Sequence, residues 1–455
     1  MQFEGKKFLV FGAGKSGIGA TELLLKKGAR PILFDQNTER DAEEIRSRIS
    51  GGQNVEIIIG ELPESVLDEI EIMVISPGVP CDLPLVLRIK EKNIALWSEI
   101  ELAYQVGKGK VLAITGTNGK TTTTALLGEI MKSHFPEVYV VGNIGFPYTD
   151  AAAEQTDEAV TVAEISSFQL ETIESFHPAA SAITNITPDH LNRHHTMEEY
   201  IRVKELITEN QDMDDLCVLN YEDEVLREFG VSLEQKTNVL FFSSRRVLDK
   251  GIYLDGDRIC MSDGQNIRPL IKTGEMKLLG LHNYENVMTA AAMADFAGVP
   301  IEKIRDTIKN FSGVEHRIEY VTEKNGVQYY NDSKGTNPDA AIKGIQAMNR
   351  PTLLIGGGYD KQSTYDEWIN SFDGKVKYLV LIGQTKQKIA DCAVSCGFPE
   401  ERIIFCEDLK EAVGVCAGKA VPGDAVLLSP ACASWGQFDN YEQRGDMFKA
   451  FANEL

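Results

Sequence analysis

Short apolar runs recur along the chain. Most end in a glycine-rich or polar turn, and the stretch that follows returns its apolar positions at helical spacing. Lys7–Phe11, Arg30–Phe34 and Ile72–Ile75 open the series, with a helix-like stretch to Lys27 between the first two. Val111–Thr115, Val138–Val141, Ala159–Ala163, Ser181–Thr184 and Leu216–Leu219 continue it. Val327–Tyr330, Thr352–Ile355, Tyr378–Ile382, Arg402–Phe405 and Ala425–Leu428 complete it. Unbroken apolar strands alternating with helices predict parallel sheets covered on both faces, an α/β fold. From about Val239 to Pro269 the pattern changes. Short β-like runs are separated there by Leu254-Asp-Gly-Asp257 and Ser262-Asp-Gly264, which predicts a small antiparallel insertion. Gly107-Lys-Gly-Lys110 and Gly313 punctuate the series. Three domains are predicted: a Rossmann-like N-terminal domain over 1–98, a central phosphate-loop α/β domain over 99–312, and a Rossmann-like C-terminal domain over 313–455.

Composition narrows the class. A chain of 455 residues exceeds one typical domain. A formal net charge of −22 argues against nonspecific binding to nucleic acid or an anionic membrane. Anionic substrates must then be met by local Lys, Arg and Mg²⁺. The 8 cysteines are scattered without a C-x-x-C pair, as reduced cytosolic thiols are. The opening run Phe8–Phe11 is too short for a signal sequence, and no segment is long and apolar enough to span a bilayer. A cytoplasmic protein, expected to be a monomer, is the reading.

The most specific chemistry lies at Val111-Leu-Ala-Ile-Thr-Gly-Thr-Asn-Gly-Lys-Thr-Thr-Thr123. A β-prone run ends in Gly116, Thr117, Asn118, Gly119, Lys120 and Thr121, with Thr122 next, and a helical pattern follows. Strand, glycine turn, Lys-Thr and helix form a phosphate-binding loop, whose backbone N–H groups and helix dipole attract anionic oxygens. Lys120 would reach the β/γ-phosphates and Thr121 would hold Mg²⁺, so ATP or GTP is the predicted ligand. Ile114 stands where the usual pattern has its first glycine. In the first domain, Gly12-x-Gly14-x-x-Gly17 follows a strand, and Asp35 closes the next one. Taken alone this says NAD; a nucleotide-like ligand with no hydride transfer fits equally.

Three further residues carry open alternatives. Glu164 closes the run Ala159–Ala163, and is either a Mg²⁺ ligand or a charge at a helix N-terminus. His190 ends Thr184-Asn-Ile-Thr-Pro-Asp-His190, and its position suits a loop or core histidine as well as a ligand. Lys204 shares a helix face with Met197, Tyr200, Ile201 and Ile207 behind a capping box at Thr196–Glu199. Facing inward, it would have a lowered pKa and could take up CO₂ as a carbamate; facing outward, it would snorkel to solvent.

Together these pieces resemble the Mur ligases, the ATP-dependent amide ligases of peptidoglycan synthesis. The resemblance rests on Gly116–Thr121, Glu164, His190 and Lys204. It also rests on Gly280-Leu-His-Asn283 with Asn286, His316-Arg317, Asn331-Asp332-Ser-Lys-Gly-Thr336-Asn337, the Gly142-Asn143-Ile-Gly145 turn, and Leu428–Ser434 continuing to Asn440–Gly445. Within the family it points to the branch that adds D-glutamate to UDP-MurNAc-L-Ala through an acyl phosphate. The resemblance implies catalytic roles for Lys120, Glu164, His190 and Lys204. It implies metal ligation by Thr121, Glu164, His190 and a carbamate on Lys204, and an ATP site that adds Asn283, Asn286, Arg317 and Asp332. It assigns the UDP-substrate to Gly14, Lys15, Ser16, Gly17, Asp35, Ser76, Pro77, Gly78 and Asn143, and D-glutamate to Thr336, Lys361, Ser434 and Tyr441. Gly335 stands where the family often has Ala, and Tyr441 where it often has Phe. Folate polyglutamate ligases share the last two domains but carry the phosphate loop much nearer the N-terminus.

Overall fold

The structure is a computed structural model that describes residues 2–143 and 146–455. Three sheets form, and the strands follow one another sheet by sheet along the chain. The first holds β1 (Lys7–Phe11), β2 (Arg30–Asp35), β3 (Glu56–Ile59), β4 (Ile72–Ile75) and β5 (Ala95–Ser98), in the order β3-β2-β1-β4-β5. Every pairing is parallel, with Phe8 opposite both Pro31 and Ile72. Successive side chains of β1 serve opposite faces. Phe8 and Val10 enter one core with Trp97 and Val111, while Leu9 and Phe11 enter another with Phe34 and Ile89. Burial on both faces explains why these strands read as unbroken apolar runs.

The second sheet holds β6 (Lys110–Thr115), β7 (Val138–Gly142), β8 (Val160–Glu164), β9 (Ala180–Ile183), β10 (Leu216–Asn220), β11 (Asn238–Ser243), β12 (Lys250–Asp255), β13 (Arg258–Asp263) and β14 (Ile267–Lys272). Its order is β14-β13-β12-β11-β10-β9-β6-β8-β7. β6 lies between β8 and β9, so the loop after it opens where the chain switches direction across the sheet. The antiparallel segment predicted from Val239 to Pro269 is not a separate insertion. β11 pairs parallel to β10, β12 adds parallel to β11 through Phe242 and Ser243, and the antiparallel pairing is that of β12 with β13.

The third sheet holds β15 (Glu319–Lys324), β16 (Val327–Asn331), β17 (Thr352–Gly356), β18 (Val376–Leu381), β19 (Ile403–Phe405) and β20 (Ala425–Leu428), in the order β15-β16-β20-β17-β18-β19. All pairs are parallel except the β15–β16 edge. The chain divides into two compact units, residues 1–270 with 285–307, and residues 271–284 with 308–455. No helix among the described residues is long and apolar enough to cross a membrane.

Candidate active site

β6 ends at Thr115, and the helix Lys120–Lys132 starts directly after the turn Gly116–Gly119. That turn is braced from the β9 side. Thr117 N–H donates to Asn185 O at 2.8 Å, Asn118 N–H to Asn185 Oδ1 at 2.9 Å, and Thr184 Oγ1 to Asn118 O at 2.6 Å. Thr117 Oγ1 lies 3.1 Å from Tyr200 Oη and donates to Thr187 O. Neither Asn185 nor Tyr200 announces this role in the sequence, because both reach the loop from far along the chain. Gly119 adopts φ 87°, and a Cβ there would meet Asn286 Oδ1 at 2.3 Å. Gly119→Ala is therefore expected to add about 1–3 kcal/mol of backbone strain, to displace Asn286, and to abolish calorimetric binding of an ATP analogue in a protein that stays folded by circular dichroism. Unaltered affinity would show that this close approach is immaterial.

Two lysines converge on one carbonyl. Lys120 Nζ donates to Gly116 O at 2.8 Å and to Thr117 O at 2.9 Å, and Lys204 Nζ donates to the same Gly116 O at 2.8 Å. Lys204 is 2% exposed, and its Nζ sits 4.7 Å from the centre of the Tyr200 ring. Of the two orientations open to it, the structure has the inward one. Burial, followed by repulsion from Lys120, brings its pKa down to about 7.

Glu164 ends β8 and is 1% exposed. Its Oε1 accepts from Asn143 Nδ2 at 2.8 Å, whereas Oε2 has no hydrogen-bond partner among the described residues. The following helix, Ser167–Leu170, is capped by Ser166 and Gln169, so Glu164 is not needed as its N-terminal charge. A buried carboxylate oxygen without a donor is costly, and a divalent cation is the partner that fits it. Asn143 is held through its backbone too, N–H to Glu164 O at 2.8 Å. The rest of its turn, Ile144 and Gly145, lies outside the described residues.

His190 takes φ 52° at the entrance of the one-turn helix Leu191–His194. Its side chain is 51% exposed, 3.5 Å from Asp189 Oδ2 and 5.0 Å from the Phe168 ring, so its imidazole is accessible to a ligand. Its neighbour His194, which no local pattern in the sequence marks, is buried against Phe168 with Nε2 2.9 Å from Ser167 Oγ. Burial lowers its pKa.

In the first sheet, Gly17 packs on the Gly12 carbonyl so tightly that a Cβ would sit 1.8 Å from its oxygen. Ser76 Oγ donates to that carbonyl at 3.3 Å. Gly14 caps the helix Lys15–Lys26, which Lys15 and Ser16 open, and the space beside it is clear. Pro77 and Gly78 follow Ser76 in the loop after β4. Asp35 accepts from Ala13 N–H at 2.9 Å and Asn37 N–H at 2.9 Å, and pairs with Arg40 at 3.2 Å. Its carboxylate thus holds the glycine turn in shape, whatever else it binds.

The second unit carries the remaining residues. Asp332 follows β16, fully enclosed, accepting from Ser429 Oγ at 2.7 Å and Ile318 N–H at 3.2 Å. Burial pushes its acid up to about 7. Arg317 is exposed, and Asn283 Nδ2 donates to Leu279 O at 2.7 Å. Thr336 precedes the helix Pro338–Ala347, which Asn337 caps. Lys361 Nζ lies 4.9 Å over the Trp435 ring, next to buried Ser434. Tyr441 starts the helix Tyr441–Glu454, its ring 5.9 Å from that of His316. A cavity of about 470 Å³ lined by Gly358, Tyr359, Lys386, Glu407 and Trp435 lies beyond the strand ends. Arg444, unremarked in the sequence, is fully buried and donates to Ser333 Oγ, Ser333 O and Cys432 O, tying the Asp332 loop to the segment after β20.

A braced phosphate loop at a sheet switch point, beside a buried carboxylate short of one partner, defines a phosphate-loop α/β protein built to hold a nucleoside triphosphate with a divalent cation. Residues 6–98 match the description "Mur ligase MurD-like, N-terminal domain", 114–294 "Mur ligase middle domain", and 316–432 "Mur ligase, glutamate ligase domain". The chain belongs to the Mur ligase family. The UDP-N-acetylmuramoylalanine–D-glutamate ligase of Lachnospira eligens is 55% identical over 455 residues, covering 100% of both chains. That of Clostridioides difficile is 44% identical over 458 residues, again covering 100% of both. Among solved structures, the UDP-N-acetylmuramate-alanine ligase of Thermotoga maritima superposes with a TM-score of 0.58 at 19% identity, covering 98% of this chain and 99% of that one, a likeness of fold.

Proposed function

We propose that this chain is the ATP-dependent ligase that joins D-glutamate to UDP-MurNAc-L-Ala in peptidoglycan precursor synthesis. Full-length identity to ligases of that name supports the substrates. The observation that carries the chemistry is the convergence of Lys120 and Lys204 on the Gly116 carbonyl of the phosphate loop. A carboxylate is a poor electrophile toward an amine. In the first step the alanine carboxylate oxygen attacks the γ-phosphorus, the bond to the β-bridging oxygen breaks, and ADP leaves an acyl phosphate. In the second the D-glutamate amine attacks the acyl carbon, phosphate departs, and a proton is lost from nitrogen. Neither step needs covalent help from the protein; both need positioning and charge neutralisation.

The loop N–H groups and Lys120 are assigned to the ATP phosphates, with Asn283, Asn286, Arg317 and Asp332 assigned to the nucleotide. Mg²⁺ would neutralise phosphate charge, held by Thr121 and Glu164 at one position and by His190 and a Lys204 carbamate at another. The Gly14–Gly17 turn, Asp35, Ser76–Gly78 and Asn143 are assigned to the UDP-substrate. Lys361 supplies a cation, and Thr336 and Ser434 hydroxyl donors, for the D-glutamate carboxylates, with Tyr441 alongside. Domain limits at 98/99 and 312/313, a cytoplasmic location and a monomer complete the reading.

The test is phosphate release with ATP, Mg²⁺ and UDP-MurNAc-L-Ala, comparing D-glutamate, L-glutamate and no amino acid. Release that requires D-glutamate is expected. Release with a different amino acid alone would keep the family chemistry and overturn the pocket assignment.

A further inference from the structure

Arg193 touches two regions that the proposed reaction must hold in register. It lies in the one-turn helix that His190 opens. Nη2 donates to Val79 O at 3.0 Å and to Glu171 Oε2 at 2.8 Å, and Nη1 donates to Pro77 O at 3.4 Å. The guanidinium carbon stands 4.8 Å from the centre of the Phe168 ring. Arg193 and Glu171 side chains are 13% and 12% exposed, so this ion pair is largely withdrawn from solvent screening.

The two carbonyls flank Gly78 in the loop after β4. Phe168 and Glu171 belong to the segment that leaves the Glu164 end of β8. Burial and then the Glu171 carboxylate push the Cys81 thiol up, and Glu171 Oε1 lies 3.5 Å from His194 Nδ1. His194 in turn reaches Ser167 Oγ at 2.9 Å. An unbroken polar path therefore runs from Val79 O through Arg193, Glu171 and His194 to Ser167, three residues past Glu164. A planar guanidinium donates in its plane to the two carbonyls and the carboxylate while its face lies against the ring; an ammonium, a compact charge with three donors on one atom, cannot span those positions at once.

We propose that Arg193 is a positioning residue that sets the Ser76–Cys81 loop in register with the His190 turn and the Glu164 strand end, and so sets where the reacting end of the UDP-substrate falls. The inference rests on the function proposed above. A substrate anchored at one end and reacting at the other is sensitive to the span between them, and a misplacement of about 1 Å can cost on the order of 10²-fold in rate.

Steady-state kinetics of Arg193→Ala and Arg193→Lys test it. For Arg193→Ala the expected result is a KM for UDP-MurNAc-L-Ala raised about tenfold or more and a kcat lowered up to about 10²-fold. KM values for ATP and D-glutamate should stay within about twofold. Arg193→Lys should recover only part of the loss, and millimolar guanidinium ion should restore part of the Arg193→Ala activity by filling the vacated site. An unchanged KM for the UDP-substrate would overturn the inference. So would an equal rise in all three KM values without guanidinium rescue, which would mark Arg193 as fold support only. If Arg193→Ala does not fold, Arg193→Lys carries the same comparison. A wild type that fails to turn over UDP-MurNAc-L-Ala would sink the functional reading itself, whereas normal turnover with unaffected variants would sink only the role of Arg193.

Discussion

Lys204→Ala is expected to lower D-glutamate-dependent phosphate release by about 10²–10³-fold, and millimolar formate or acetate to return part of it. The reason begins with burial. An ammonium that is 2% exposed, on the same carbonyl as a second lysine, is disfavoured, and the pKa of about 7 reflects that. Near pH 8 most Lys204 side chains are then neutral amines. A neutral amine adds CO₂ by forming an N–C bond and releasing one proton, which leaves an anionic carbamate. Below about pH 6 the ammonium form predominates and this addition stops. Wild-type activity should accordingly fall as pH drops through 7, fall further in CO₂-stripped buffer, and return with bicarbonate. Lys204→Arg keeps the cation but cannot form the carbamate, so it should stay inactive with or without added carboxylate. Full activity in CO₂-free buffer, together with no carboxylate rescue of Lys204→Ala, would mean that the residue acts as an amine or ammonium.

The legibility of this chain follows burial and sequence distance. β6 could be read because a parallel strand covered on both faces is an unbroken apolar run, and its turn carries the Lys-Thr signature. The strands that went unread carry weaker signals. β3 is only half-buried, β5 buries only the last two of its four positions, and β15 is an edge strand with no fully buried position. In the β12–β13 hairpin, Asp255 and Gly256 announce antiparallel pairing correctly. A turn signal says nothing about which sheet a hairpin joins, and here β11 receives it through Phe242 and Ser243. Site residues followed the same rule. Glu164 sits where a strand ends and Lys120 where the helix after the phosphate-loop turn begins, and the inward face of the helix at Met197–Glu205 carries Lys204. Arg193, His194, Tyr200 and Arg444 act through partners far away in sequence, and no local pattern encodes such contacts. Asp35 is the intermediate case: its place at the end of β2 was legible, whereas its bonds to Ala13 N–H and Arg40 were not.

Glu164→Gln is expected to cut turnover by about 10²-fold or more while raising the melting temperature measured without Mg²⁺. The substitution keeps shape and lets the amide oxygen accept from Asn143 Nδ2, now at 2.8 Å from Oε1. It removes a charge whose other oxygen is buried with no hydrogen-bond partner among the described residues. The amide NH₂ left in that place is also unpaired, but an unpaired neutral group costs less to bury than an ionised one. A gain of about 1 kcal/mol would move the melting temperature by roughly 2–4 °C in a domain of some 150–250 residues. With Mg²⁺ and an ATP analogue the order should narrow or reverse, because ligand binding stabilises the wild type in proportion to its affinity and the variant binds the metal less well. Retained turnover with an unchanged Mg²⁺ requirement would take the metal away from Glu164. A lower melting temperature without Mg²⁺ would show that the carboxylate is already compensated within the fold. The expected opposition of the two effects arises from a single atom: a buried oxygen with no donor among the described residues is costly until a cation arrives, and the position that costs stability is the one that offers the cation a ligand.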